Sequence, residues 1–450
     1  MRTLMGVAMM LCTMSSFAQS TSGLSTTRPG QAVLPQNLTL AEALRIALSN
    51  NTILRGAQAR LDQTSGKYDQ SRSTLLPQLG LLAHQNYQTI NLVGMGIDIP
   101  VPGLQGKIGP FASMDARVSL SQDVFNLSHI RDWQSYSSRL DASGFQVNDA
   151  RELVSLSVVS TYLDALRAKA TRDALAEQTK LADDLYKITR ERADQGASSE
   201  LDANRALQKV NTLEQQHQES EQNYVAAKLS LANILQAHIT ADFDVADDAA
   251  YGTGSPPDRN SSIQTALASR ADYHSAEESV RSAEFQVRSV KARRLPTFRL
   301  FFDDGQSGST PGENNVNTYT LAGWLAFPIF TGGRIRGEIA EAEGALREAH
   351  AALDQNRSQI ETDVLTSISG VEWALKELAT SAGNVSLARQ EVELTRQRFT
   401  QGVADNTELV NAQDRLTQAD DAHIRAQYMV GLARANLARA TGAAEKTYSK

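Results

Sequence analysis

The sequence predicts a mainly helical chain with a small β part, built as two copies of one layout. Three observations carry that expectation. Two stretches of about seventy residues, 126–195 and 334–401, run without a proline. Four short segments alternate residue character with period two, the mark of strands with a different environment on each face. Finally, segments from one half of the chain recur in the other half, in the same order and at nearly constant offset.

Taken from the start, residues 1–18 read as a secretory signal. Arg2 gives the positive end, Leu4 to Leu11 the apolar core, and Ser16-Phe17-Ala18 a small-x-small cleavage site. A membrane span needs roughly 20 apolar residues, more than this segment has. Cys12 lies inside the apolar core, not at a lipidation position, so cleavage without lipid attachment is expected. It is also the only cysteine, which leaves the mature chain without disulfides, thiol catalysis or cysteine metal sites. No later window suits a spanning helix, so any membrane insertion has to use strands. The net charge of -7, without basic clusters, argues against a nucleic-acid partner.

The first repeat, 19–260, is expected to hold a helix over about 38–76 that stops at Leu76-Pro77, then strands over 78–91 and 112–125 around a loop from Gly94 to Pro110. A long helix over 126–195 turns at Gly196 and returns over 199–237. The second repeat, 261–441, has a helix over 261–295, strands over 297–304 and 317–330, a long helix over 334–401, a turn at Gly402 and a return over 405–441. Residues 442–450 are expected as a tail. Ala47 to Pro77 lies on Ala266 to Pro296 at offset 219, and Thr189 to Gly196 lies on Thr395 to Gly402 at offset 206. Seventy helical residues span on the order of 100 Å. The apolar spacing Ile339, Ala342, Leu346, Ala349, Leu353 is heptad-like, and Ile360, Val364 and Ile368 form a stutter.

Four amphipathic strands cannot close a barrel, and an open edge in lipid leaves backbone groups unpaired at several kcal/mol each. Two chains would give eight strands and three would give twelve; only the larger barrel keeps a lumen. The count therefore favours a hollow trimer.

The residues also carry a resemblance. Pro328-Ile329-Phe330-Thr331-Gly332-Gly333-Arg334, between a strand and a long helix, resembles the signature of the TolC-type outer-membrane efflux protein family. So does Asn37 to Asn51, and Arg398-Phe399-x-x-Gly402 followed by Leu409-Val410-Asn411-Ala412-Gln413 is similar to the family's hairpin turn. The resemblance spans nearly the whole mature chain. At the first strand-to-helix joint, Val124-Phe125-Asn126-Leu127-Ser128 keeps only the Phe. The resemblance implies a homotrimeric, twelve-stranded outer-membrane β-barrel, four strands per protomer, continued by a long periplasmic α-helical barrel. The implied function is the outer-membrane channel of a tripartite efflux or type I secretion system. The implied partners are outer-membrane lipid, a periplasmic membrane-fusion adaptor and an inner-membrane transporter of RND, ABC or MFS type. A periplasmic coiled-coil adaptor is the alternative, but it would need one hairpin inside a split lipoyl-like domain, not two hairpins alternating with two strand pairs.

No cofactor, metal or catalytic site is expected. The seven histidines are scattered, and Asp183-Asp184 and Asp303-Asp304 read as solvated carboxylates. The candidate site is the pair of hairpin tips. Ser199-x-x-Asp202 and Asp405-x-x-Glu408 read as capping boxes opening the return helices. The resemblance adds that Asp202, Asp405 and Glu408 would line a constriction, that Gly196 and Gly402 mark the turns where an adaptor docks, and that Pro328, Gly332 and Gly333 form the strand-to-helix joint. Ala404 stands where the family has a basic partner. Tyr87, Phe111, Phe298, Phe301, Phe302, Tyr319, Trp324 and Phe327 are expected as an interfacial girdle.

Overall fold

A computed structural model describes residues 34–96, 106–238, 242–246 and 254–449. The signal segment 1–18 and part of the Gly94 to Pro110 loop lie outside these residues. In chain order the elements are β1 (Asn37–Leu38), α1 (Leu40–Asn50), α2 (Thr52–Ser73), β2 (Gln78–Asn91), β3 (Lys107–Phe125), α3 (Leu127–Asp194), α4 (Glu200–Ile234) and β4 (Asp244–Val245). The second half continues with α5 (Arg259–Ser269), α6 (Ala271–Ala292), β5 (Thr297–Gly308), β6 (Val316–Ala326), α7 (Arg334–Thr400), α8 (Asn406–Ala440) and α9 (Ala444–Tyr448).

The long helices are there at nearly the expected bounds. α3 has 68 residues and α7 has 67, about 100 Å each at 1.5 Å per residue. Each pairs along its return helix, and α3 also meets α8, which joins the two hairpins side by side. The stutter residues Ile360, Val364 and Ile368 are fully buried against Ala266 and Ala440. No helix among the described residues is long and apolar enough to cross a membrane.

Each shorter helix, expected as one piece, is broken once. The breaks fall at Asn51 and Arg270, which are repeat equivalents at offset 219, and both take extended backbone angles. Each break is fixed by a buried polar side chain. Asn51 accepts from the Ile53 amide at 2.8 Å and donates to the Ile234 carbonyl at 3.2 Å. Arg270 grips Asp272 through two bonds of 2.7 and 3.0 Å and reaches Asp363 at 3.0 Å. These breaks turn α1 and α5 across the long helices at mid-height. There β1 pairs with β4 in parallel, and the Tyr162 hydroxyl lies 2.9 Å from the Leu38 carbonyl and 2.7 Å from that of Ala246. The chain after residue 441, expected as a tail, instead forms α9, docked on α3 by Arg151 with Glu445 and by the Ala444 amide donating to Glu152 at 2.7 Å.

The four long strands form one antiparallel sheet in the order β2-β3-β5-β6, so β2 and β6 are its free edges. The register sorts the side chains by face. Leu79, Leu120, Phe302 and Leu321 lie in one cross-strand row, and Leu81, Val118, Asp304 and Tyr319 in the next. All the apolar members of these rows are exposed. The opposite face carries Gly80, Ser119, Asp303 and Thr320, then Leu82, Arg117, Gly305 and Thr318. The expected aromatic girdle therefore divides. Tyr87, Phe298, Phe302 and Tyr319 stand on the apolar face, whereas Phe111, Phe301 and Trp324 stand on the polar one, where the Phe301 and Trp324 rings meet at a tilt with centres 5.6 Å apart. Alternation decides the face, and aromatic character alone does not.

The buried guanidinium at the second helix break sets a stability test. Burial pushes the Asp272 carboxyl up, but Arg270 overrides this and holds it below the usual carboxylate range. Arg270→Met leaves Asp272 and Asp363 without their cation and should destabilise the fold by about 3 to 5 kcal/mol at pH 7. In the wild type this contribution is present above the unfolded carboxyl pKa and is lost as pH falls through the lower folded value. In the variant the Asn356 hydrogen bond and the charge of Arg439 still favour the carboxylate, but the main influence opposing burial is gone, so Asp272 protonates at a higher pH than in the wild type. Thermal melts of the two proteins should therefore converge as pH falls from 7 towards 4.

Candidate functional site

Both hairpin tips are closed by the same backbone device. Gly196 and Gly402 adopt left-handed angles, φ 72° and 76°, where a side chain costs about 1–2 kcal/mol. The Ala197 amide donates to the Arg192 carbonyl at 2.8 Å and the Gly196 amide to Ala193 at 2.9 Å. The second tip repeats this with Val403 to Arg398 at 2.9 Å and Gly402 to Phe399 at 3.0 Å. These are the paired bonds of a glycine-terminated helix that stops and turns.

The return helices then start on the predicted caps, but the two caps differ. Ser199 and Asp202 form a full capping box. The Asp202 amide donates to Ser199 Oγ at 3.1 Å, and Asp202 Oδ2 accepts from the Ser199 amide at 3.3 Å and from its hydroxyl at 2.7 Å. Asp405 accepts from the Glu408 amide at 2.8 Å, but the Glu408 carboxylate does not reach back. It is drawn instead to Arg398 Nη1 at 3.2 Å. The reading of two equal boxes is corrected here: a cation on the preceding helix captures the second carboxylate. Glu408 thus has a basic partner although Ala404 supplies none.

The repeat equivalent of Arg398 is Arg192, which does something else. It crosses to the other hairpin, where its Nη1 donates to the Phe399 carbonyl and its guanidinium lies 4.9 Å from the centre of the Phe399 ring. Asn406, almost fully buried, donates to the Asp202 carbonyl at 2.8 Å, and Arg205 donates to Thr407 Oγ1 at 3.3 Å. Lys209 pairs with Asp414 just above. The structure therefore brings Asp202, Asp405 and Glu408 to one tied end of the molecule. Sequence reasoning missed Arg192, Arg398 and Asn406, although the repeated Thr-Arg-x-Arg pattern pointed at the two arginines.

The strand-to-helix joint lies at the other end of α7. Gly332 and Gly333 are both left-handed, at φ 60° and 87°, and Gly333 caps the helix without a side chain. The turn projects Ile329 and Phe330 outward at 91% and 88% exposure, beside Pro328. The first joint uses no glycine; Asn126 Oδ1 accepts from the His129 amide at 3.3 Å and opens α3. Among the described residues, no group of His, Cys, Asp and Glu is placed to hold a metal ion. Asp183 and Asp184 both face Lys187 on an open helix surface.

A family profile described as outer membrane efflux protein matches residues 43–236 and again 262–443. The chain belongs to this family. Efflux proteins of this family reside in the outer membrane of the Gram-negative envelope with a large periplasmic part, and so does this chain. Among curated relatives, the outer membrane protein TolC of Escherichia coli is 21% identical over 439 residues, which cover 92% of this chain and 84% of TolC. The alkaline protease secretion protein AprF of Pseudomonas aeruginosa is 22% identical over 328 residues, 71% of this chain and 67% of AprF. The fold is that of solved outer-membrane channels. The Campylobacter jejuni CmeC channel superposes with a TM-score of 0.75 over 95% of this chain and 94% of that one, at 18% identity. The outer membrane protein VceC of Vibrio cholerae gives 0.75 over 90% and 96%, at 17% identity.

The left-handed glycines give a local test. Gly196→Ala and Gly402→Ala should each weaken one tip by about 1–2 kcal/mol. Hydrogen exchange at residues 190–206 or 396–412 should speed up several-fold, while exchange at mid-height, around Tyr162, stays unchanged.

Proposed function

We propose that three copies of this efflux protein form a channel: a twelve-stranded barrel in the outer membrane, continued by a periplasmic tube of paired helices. One observation carries this reading, the four-stranded sheet with two free edges, an apolar exposed face and a polar opposite face. Such a sheet is stable in lipid only when β2 of one copy pairs with β6 of the next and closes the ring. The apolar face then meets lipid and the polar face lines water. The protruding Ile329 and Phe330 sit where the barrel gives way to helices, a position suited to the inner rim of the membrane.

In this reading the tied hairpin tips are the periplasmic entrance. Gly196 and Gly402 mark the surface an adaptor would meet, and an inner-membrane transporter of RND, ABC or MFS class would deliver cargo through it. Asp202 and Asp405 cap helices, Glu408 is held by Arg398, and, three-fold repeated, the three place carboxylates around the passage. Carboxylates that converge on a narrow aqueous passage enrich cations in it. The two hairpins, each following its own strand pair, favour a channel over an adaptor. We assign no catalytic role.

Reconstitution into planar bilayers should give discrete conductance steps from a trimer; a detergent monomer without conductance would exclude the channel. Glu408→Gln keeps the Asp405 cap intact but removes charge. It should lower cation preference and weaken block by multivalent cations, with trimer melting changed by less than about 1 kcal/mol. Photo-crosslinkers at Ala197 and Val403 should capture an adaptor in cells, and capture only from the opposite, loop end of the barrel would reverse the orientation.

A further inference from the structure

The sheet carries a second set of charges, far from the hairpin tips. Between the register shifts at Gln88/Ile90 and Asp123/Phe125, the polar face holds Asp115, Arg117 and Asp123 on β3, and Arg299 and Asp303 on β5. They are organised, not scattered. Arg117 donates through Nε and Nη2 to Asp115, at 2.7 and 2.5 Å, and through Nη1 to Asp303 at 2.9 Å. Lower on the same face, Arg299 pairs with Asp123. The Arg117 and Arg299 links run across the β3–β5 seam, where the two repeats meet, and in opposite senses: Arg on β3 to Asp on β5, then Asp on β3 to Arg on β5.

The backbone is shaped around the upper group. Gly305 lies directly opposite Arg117, and a Cβ there would come within 2.4 Å of the Arg117 Cβ and of the Ala116 carbonyl oxygen. Only glycine leaves room for the Arg117 stem to lie along the wall. Its three donating nitrogens are then directed to two carboxylates, which fixes a guanidinium that is otherwise mobile.

We propose that Asp115, Arg117 and Asp303 form a charge belt inside the barrel that sets ion preference there, with Arg117 as the residue that moderates it. The proposal rests on the channel reading given above, in which the polar face lines the lumen. In the belt two carboxylates stand against one guanidinium, and the separate Asp123–Arg299 pair cancels, so the belt carries one net negative charge per protomer at neutral pH. Removing Arg117 doubles that charge without adding an acid. The clamp keeps the positive charge at the wall, so it subtracts from the acidic field without obstructing the passage. The belt's influence extends about one Debye length, roughly 10 Å at 0.1 M salt and 3 Å at 1 M.

The test is reversal potential across a bilayer in a potassium chloride gradient, for wild type, Arg117→Gln and Asp115→Asn. At about 0.1 M salt, Arg117→Gln should raise the potassium-over-chloride permeability ratio by on the order of twofold. Asp115→Asn, which leaves Arg117 paired with Asp303, should lower the ratio, and both shifts should fade at about 1 M salt. A residue that only staples strands would change trimer yield or melting without moving the reversal potential. If Arg117→Gln fails to assemble, Asp115→Asn decides alone. Conducting variants with wild-type reversal potentials would overturn the belt while leaving the channel standing. A wild-type protein that never conducts would instead overturn the channel reading, and the belt with it.

Discussion

Everything in this molecule follows from the rule that a strand in lipid must have all of its backbone groups paired. The described residues supply one sheet of four long strands, too few to close on themselves, with β2 and β6 as open edges. Assembly is thus built into the strand count and does not depend on a particular side-chain patch. The same rule explains the position of the strands between long helices. A barrel wide enough to be hollow needs walls that continue it into water, and two proline-free helices of nearly equal length provide them.

Duplication simplifies the problem, because each repeat solves the same sequence of tasks once: strand pair, long helix, glycine turn, return. The repeats then diverge where a task differs. At the joints, the second half uses two left-handed glycines and the first an asparagine cap. At the tips, Arg398 holds a carboxylate within its own hairpin, while Arg192 reaches the neighbouring hairpin. Equivalent residues in sequence have taken opposite duties, one within a hairpin and one between the two.

Much of this was legible in the sequence. Strands and helices fall within a few residues of their expected bounds because proline, glycine and period-two alternation are local signals. The helix breaks at Asn51 and Arg270 were not legible, since nothing local forbids a helix there; distant partners, the Ile234 carbonyl and Asp363, fix them. The unequal caps escaped for the same reason, because Arg398 stands ten residues before Glu408 and its reach depends on the turn between them. The helix α9 was hidden too, being only 5 residues long and held by Arg151 and Glu152 from the first repeat. Most of the expected girdle aromatics lie on strands, although β3 starts early enough to include Phe111 and β6 ends just before Phe327; their faces came only with the register.

Two of the bonds that tie the hairpins end on main-chain oxygens, those of Phe399 and Asp202. A main-chain acceptor survives any substitution at its own position. The acceptors themselves do not depend on the side chains at 399 and 202, which do other work: the buried Phe399 ring packs under the Arg192 guanidinium, and the Asp202 carboxylate completes the Ser199 capping box. Exchanging the carboxylate at 202 would therefore cost the capping box of one return helix while the bond from Asn406 that ties the two hairpins keeps its acceptor.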